Sequence, residues 1–195
     1  MSEIKYKPHI KLAHDLWSKF LKKDFICIDA TIGNGFDTLF LLELSTKYNL
    51  KKIIGFDIQK QAIDNTKNLL KKNFNLEDLK KINLFLSSHE DFSKHLKEKI
   101  NLFIYNLGYL PKSDKSITTK SKTTIQSIKS AFLHLSQNGA ISITVYPGHS
   151  EGKIEEIEIL KFLEEIDYKI YNIMQYKWLN KKNSPFVIWI EKLST

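Results

Sequence analysis

A chain of 195 residues, 42% apolar and 27% charged, is long enough for one full hydrophobic core, and no apolar run in it approaches the ~20 residues needed to span a bilayer. Its formal charge of +8 comes from 30 basic and 22 acidic residues, and every basic residue is lysine. That balance admits a polyanionic partner such as RNA, although an A-rich coding sequence would also raise lysine, and without arginine any phosphate contact is a point-charge contact. The lone Cys27 rules out an internal disulfide, and the six histidines show no metal-ligand spacing. A single domain over 1–195, no metal, no membrane and a reduced cytoplasmic setting are the expectations; nothing fixes the oligomeric state, which leaves room for a homodimer.

In chain order, 8–22 reads as an amphipathic helix opened by Pro8, placed to cover whatever lies at the end of the first strand, with His14 a candidate to face that mouth. Phe25 to Ile28 is a short apolar strand suited to burial on both faces. It runs into Asp29-Ala30-Thr31-Ile32-Gly33-Asn34-Gly35-Phe36-Asp37-Thr38, a turn with two glycines followed by helical spacing over 35–47. Strand, glycine turn and helix make a nucleotide-type cofactor site at the carboxyl end of a parallel strand. A pyrophosphate would want a third glycine where Thr38 stands, and it would be repelled by Asp29 and Asp37. Those acids suit a ligand with an ammonium and a sulfonium, as S-adenosylmethionine has. The second strand, 51–57, ends in Asp57, about 20 residues beyond the turn, the spacing of an acid that grips ribose hydroxyls.

Helix 59–72 and strand Ile82 to Leu86 follow, then Ser87-Ser88-His89-Glu90-Asp91. In a doubly wound sheet this strand end borders the adenine pocket, so Ser88, His89 and Glu90 are candidate adenine contacts; Ser88 also reads as a cap for a helix over 90–97. Strand Ile100 to Tyr105 runs into Asn106-Leu107-Gly108-Tyr109-Leu110-Pro111 and a polar loop, 112–122. A helix over about 119–137, stopped by Asn138-Gly139, leads to strand Ala140 to Tyr146, then Pro147-Gly148-His149 and helix 153–166. Segments Tyr168 to Trp178 and Phe186 to Ile190 are joined too briefly for a crossover helix, which implies an antiparallel pair. The expected fold is therefore α/β and Rossmann-like: a seven-stranded, mostly parallel sheet with an antiparallel last strand and helices on both faces, as in class I methyltransferases.

Asn106-Leu107-Gly108-Tyr109 resembles the Asn-Pro-Pro-Tyr signature of enzymes that methylate nitrogen, with both prolines replaced. The asparagine oxygen and following carbonyls accept hydrogen bonds from an amine and aim its lone pair; the aromatic ring stacks on a flat base. Together with the glycine loop, Phe56-Asp57-Ile58-Gln59, Ser88-His89-Glu90 and Tyr146-Pro147-Gly148-His149, in that order, the set resembles the rRNA-methylase family that includes the MnmM-type transfer-RNA wobble-uridine methyltransferases. The resemblance covers Pro8 to about Leu193 and departs mainly in loop 112–122 and the lysine-rich surface.

What it implies is S-adenosylmethionine-dependent methylation of the amine of 5-aminomethyl-2-thiouridine in the transfer-RNA anticodon stem-loop. The implied cofactor contacts are Asp29, Thr31, Gly33, Asn34, Gly35, Asp37, Thr38, Asp57, Gln59, Ser88, His89, Glu90 and Asn106. Asn106, Tyr109 and His149 are the expected catalytic residues, with His14 an alternative proton carrier. His14, Tyr109, Lys112, Thr118, Thr119, Tyr146 and His149 are expected to meet the substrate, and Lys112, Lys115, Lys120 and Lys122 the RNA backbone. The alternatives are an rRNA base as acceptor, an NAD-binding oxidoreductase, which the missing third glycine and the two acids disfavour, and a non-catalytic RNA-binding module.

Overall fold

The computed structural model describes residues 7–108 and 119–194. Tyr109, Lys112, Lys115 and Thr118 lie outside the described residues. Seven strands, β1 (Ile26–Asp29), β2 (Lys52–Asp57), β3 (Ile82–Leu86), β4 (Ile100–Asn106), β5 (Leu135–Val145), β6 (Tyr171–Tyr176) and β7 (Phe186–Lys192), form one sheet in the order β3-β2-β1-β4-β5-β7-β6. The first five pair in parallel, and β7 runs antiparallel to both β5 and β6. The expected α/β architecture is thus the observed one, with the short 177–185 connection producing the antiparallel pair.

Among the described residues, six α-helices flank the sheet: α1 (Pro8–Phe20), α2 (Phe36–Tyr48), α3 (Lys60–Asn73), the single turn α4 (Leu76–Leu79), α5 (Ser121–His134) and α6 (Ser150–Glu164). The period of two along the strands sends apolar side chains both ways. On β4, Phe103 and Tyr105 enter one core with Ile128 of α5 and Ile159 of α6. Leu102 and Ile104 enter the other with Trp17 of α1, Leu42 of α2 and Leu70 of α3. Central strands buried on both faces therefore read as unbroken apolar runs, whereas the edge strands β3 and β6 are half-buried or alternating.

Two local expectations are corrected. Asn138-Gly139 does not stop a helix: α5 ends at His134, and β5 begins at once with Leu135, which is buried and pairs with Ile100. The next β4 pairing, Leu102 with Ala140, leaves an irregular stretch on β5, where Asn138 adopts φ 56°. A Cβ on Gly139 would lie 2.8 Å from the Leu135 side chain, so the glycine serves this bulge. The expected helix over 90–97 is instead a 3₁₀ segment, His89–His95, because the Asp91 N–H donates to the Ser88 carbonyl one residue short of an α-turn.

Strand order reverses between β1 and β4. The crevice at the carboxyl ends of those two strands is where an open α/β sheet binds its ligand.

Candidate active site

From Asp29 the chain turns through Gly33 (φ 56°) and Gly35 (φ 79°) into α2. Both take left-handed backbone, and Gly35 has a second constraint: a Cβ there would lie 2.4 Å from the Thr66 hydroxyl of α3. Asp29 is fully buried beneath the turn, accepting from the Thr38 hydroxyl at 2.6 Å and the Thr31 N–H at 3.2 Å. Burial first, and then the neighbouring Asp37, pushes its carboxyl up to about 7. Asp29 therefore braces the turn. Asp57, at the end of β2, accepts from the Gly33 N–H at 2.9 Å and the Gln59 N–H at 2.8 Å, and burial raises its carboxyl too. It is only half-buried, and a carboxylate has about four lone-pair sites, so acceptor capacity remains for a hydroxyl ligand. Asn34 sits half-buried between the two glycines.

A second set of polar groups spans the crevice from α1 to β5. His14 is buried, its ring stacked on Phe40 at 3.8 Å, and its Nε2 donates to Asp37 Oδ1 at 2.8 Å. The other Asp37 oxygen accepts from Asn106 Nδ2 at 2.8 Å. The Tyr146 phenol lies beside the Asn106 amide, and its oxygen is 3.2 Å from His9 Nε2. The Asn106 main-chain N–H donates to the Thr31 hydroxyl at 2.7 Å, tying β4 to the glycine turn. Since a carboxylate only accepts, Asp37 dictates that the Asn106 NH2 faces it, which leaves the amide oxygen turned the other way.

Burial, and then Lys7, lowers His9 to about 4, and burial raises the Tyr146 phenol above its ordinary value, so both are neutral near pH 7. His14, expected near the substrate, is buried and orients the Asp37 carboxylate.

The other expected residues also make contacts within the protein. Ser88 Oγ accepts from the Glu90 N–H at 3.3 Å, the capping arrangement. His89 is held neutral near 4 by burial, and its Nε2 has no partner among the described residues. His149 caps α6, its Nδ1 accepting from the Gly152 N–H at 3.0 Å. Thr119 closes the end of β4: its hydroxyl accepts from the Gly108 N–H at 2.9 Å, and its N–H donates to the Gly108 carbonyl at 3.0 Å. The same hydroxyl donates to buried Glu155 Oε2 at 2.9 Å, and Thr124 donates to Oε1 at 2.7 Å. Sequence reasoning missed His9 and Glu155. The signal for Glu155 was present, since it lies on the α6 face that also buries Ile159 and Leu163.

The donor set suits an adenosyl cation. Three carboxylates surround the turn, and no basic residue occurs between Lys23 and Lys47 to offset a pyrophosphate. Among the described residues there is no group of three or more His, Cys, Asp or Glu able to hold a metal, and no helix long and apolar enough to cross a membrane. A family model described as "Putative rRNA methylase" matches residues 53–192. The chain belongs to that family.

A curated Arabidopsis thaliana relative named as a chloroplastic tRNA (mnm5s2U34)-methyltransferase is 32% identical over 192 residues, covering 95% of this chain and 70% of its own length. An rRNA-methylase structure from Clostridium thermocellum is 33% identical with a TM-score of 0.88, covering 97% of this chain and 100% of that one. A methyltransferase structure from Streptococcus mutans, in complex with S-adenosylhomocysteine, is 37% identical with a TM-score of 0.84 over 97% of this chain and 100% of its own. The two solved structures match nearly the whole of this chain and not merely the glycine turn.

Proposed function

We propose that this chain is a cytoplasmic S-adenosylmethionine-dependent transfer-RNA methyltransferase, one domain over 1–195, which converts 5-aminomethyl-2-thiouridine at wobble position 34 to its 5-methylaminomethyl form. The Arabidopsis relative carries the name of that reaction. The observation that carries the reading on this chain is the Asn106 amide: its NH2 donates to Asp37 Oδ2 at 2.8 Å, which leaves its oxygen as an acceptor at the switch point.

When bound, S-adenosylmethionine supplies a methyl group on a sulfonium, already a good electrophile, so the protein's task is placement. Asp57 and the Gly33–Gly35 turn would hold its ribose and main body, with Ser88, His89 and Glu90 toward the adenine. Asp29 and Asp37 supply negative field for its cationic end. Asn106 Oδ1 accepts an N–H of the substrate amine and aims the lone pair. A free alkylamine has a pKa near ~10, so only about one in a thousand is reactive at pH 7; burial beside a second positive charge favours the neutral form. Beside the Asp37 carboxylate, the amine nitrogen would gain the positive charge that the sulfonium loses as the S–C bond gives way to the N–C bond, so the site's net charge balance would not change. The product ammonium sheds its proton to water, which demands nothing of His9 or Tyr146. Tyr146 packs against the base together with Tyr109, and Thr119, His149, Lys112 and Thr118 are further proposed contacts.

The test is mass analysis of nucleosides from bulk transfer RNA incubated with the protein and isotopically labelled S-adenosylmethionine. One labelled methyl on aminomethyl-thiouridine is the expected result; label on another nucleoside, or only on ribosomal RNA, would contradict it.

A further inference from the structure

The tip that joins β6 to β7, 177–185, reverses the charge character of the crevice. From Tyr168 to Ile190 the chain contains no Asp or Glu, although there are 22 in its 195 residues. The tip carries Lys177, Lys181 and Lys182 around Trp178 and Leu179. Lys177 is committed elsewhere: it pairs with Glu156 at 3.1 Å, an acid that Lys153 also holds, and lies over the Phe186 ring. Lys181 and Lys182 are exposed and have no acidic partner among the described residues, and Lys181 Nζ stands 5.8 Å from the Trp178 ring centroid. Leu179 is fully exposed.

The tip shares a rim with Asn106. Asn106 pairs with Thr144, Thr144 with Val187 and Val187 with Tyr176, a row of three strand spacings of ~4.8 Å, so the tip departs about 14 Å from the amide. β6 runs out toward that rim and β7 returns from it, and a Cβ on Gly148 would lie 3.9 Å from the Asn183 carbonyl.

We propose that this tip grips single-stranded RNA flanking the target base, with Lys181 and Lys182 on phosphates and Trp178 and Leu179 offering a flat apolar face to an unpaired base. Cations beside an aromatic platform are the combination that binds unstacked nucleotides regardless of sequence. A second copy of the chain is the weaker occupant, because two such tips would bring like charges together. The proposal rests on the transfer-RNA reading above and names a surface for it distinct from loop 112–122.

The test uses the full chain and bulk transfer RNA. Wild-type binding and methyl transfer are measured first; if neither occurs, the transfer-RNA reading itself fails. Given both, Lys181→Glu/Lys182→Glu should raise the transfer-RNA KM about tenfold or more, leave kcat at saturating RNA and S-adenosylhomocysteine affinity unchanged, and lower the log–log salt slope by about 1.4 to 1.8, as loss of two phosphate contacts predicts. Trp178→Ala should raise KM roughly fivefold or more without changing the slope, consistent with a stacking loss of ~1–3 kcal/mol. Unchanged KM and slope in the double variant would overturn the proposal, as would light scattering that shows Trp178→Ala dissociating a dimer while RNA binding is retained. Should the glutamates disturb S-adenosylhomocysteine binding, Lys181→Gln/Lys182→Gln gives the same readings, and an unchanged salt slope there overturns the proposal equally.

Discussion

The crevice between β1 and β4 and the tip between β6 and β7 lie on one rim of the sheet and treat charge in opposite ways. In the crevice, Asp29 and Asp37 are almost wholly buried, and each is held by protein donors: Thr38 and Thr31 for one, His14 and Asn106 for the other. At the tip, Lys181 and Lys182 stand in solvent. Burial makes the first set geometrically exact and costly to disturb, which suits the aiming of one amine. Solvation keeps the second set adaptable and salt-sensitive, which suits a long polyanion. Variants in the crevice should therefore alter turnover or stability, and variants at the tip should alter RNA affinity.

The largest expected effect is at the amide. Asn106→Ala should lower kcat a hundredfold or more, on the order expected for lost alignment of the reacting atoms, while S-adenosylhomocysteine affinity stays within about threefold. Calorimetry alongside single-turnover rates separates the two, and equal losses in both would move Asn106 from aiming the amine to holding the cofactor. His14→Ala removes the partner of a buried carboxylate and should cost about 3 kcal/mol of stability, with a fall in Tm of several degrees, and should lower kcat by releasing the Asn106 amide. His14→Gln, able to donate to Asp37, should recover part of both. A kcat that survives His14→Ala would break the link between α1 and the amide.

Glu155→Ala leaves the Thr119 and Thr124 hydroxyls without their acceptor and should cost roughly 1–3 kcal/mol in thermal unfolding. The effect of pH on ligand affinity is smaller. Asp29 has a folded value raised to about 7 from an ordinary 3.8, so the folded state binds the extra proton and stability falls as pH rises between those values. A cationic ligand favours ionised Asp29, so its affinity should rise severalfold from pH 6 to pH 8 and then level off. Asp29→Asn should flatten that profile; a flat wild-type profile would remove Asp29 from the cofactor's electrostatics.

Much of the fold was legible because its signals are local: the apolar run before Asp29, the paired glycines, the spacing to Asp57 and the short 177–185 connection each depend on a few neighbouring residues. Asn138-Gly139 misled because a turn dipeptide serves a bulge as well as a helix end, and the burial of Leu135 decided between them. Asp37 and Asn106 were legible as candidates, but their direct hydrogen bond was not: it joins positions 69 apart in sequence, and His14 reaches Asp37 only because α1 packs across the strand ends. His9 was hidden for the same reason, since its partner Tyr146 is 137 residues away.

Isothermal titration calorimetry of the purified chain at pH 8 with S-adenosylmethionine, S-adenosylhomocysteine and NAD tests the central claim most directly. The expected result is saturable heat with both adenosyl compounds, tighter binding of the sulfonium cation at low salt, and no binding of NAD. Tight binding of NAD with no heat from either adenosyl compound would contradict it.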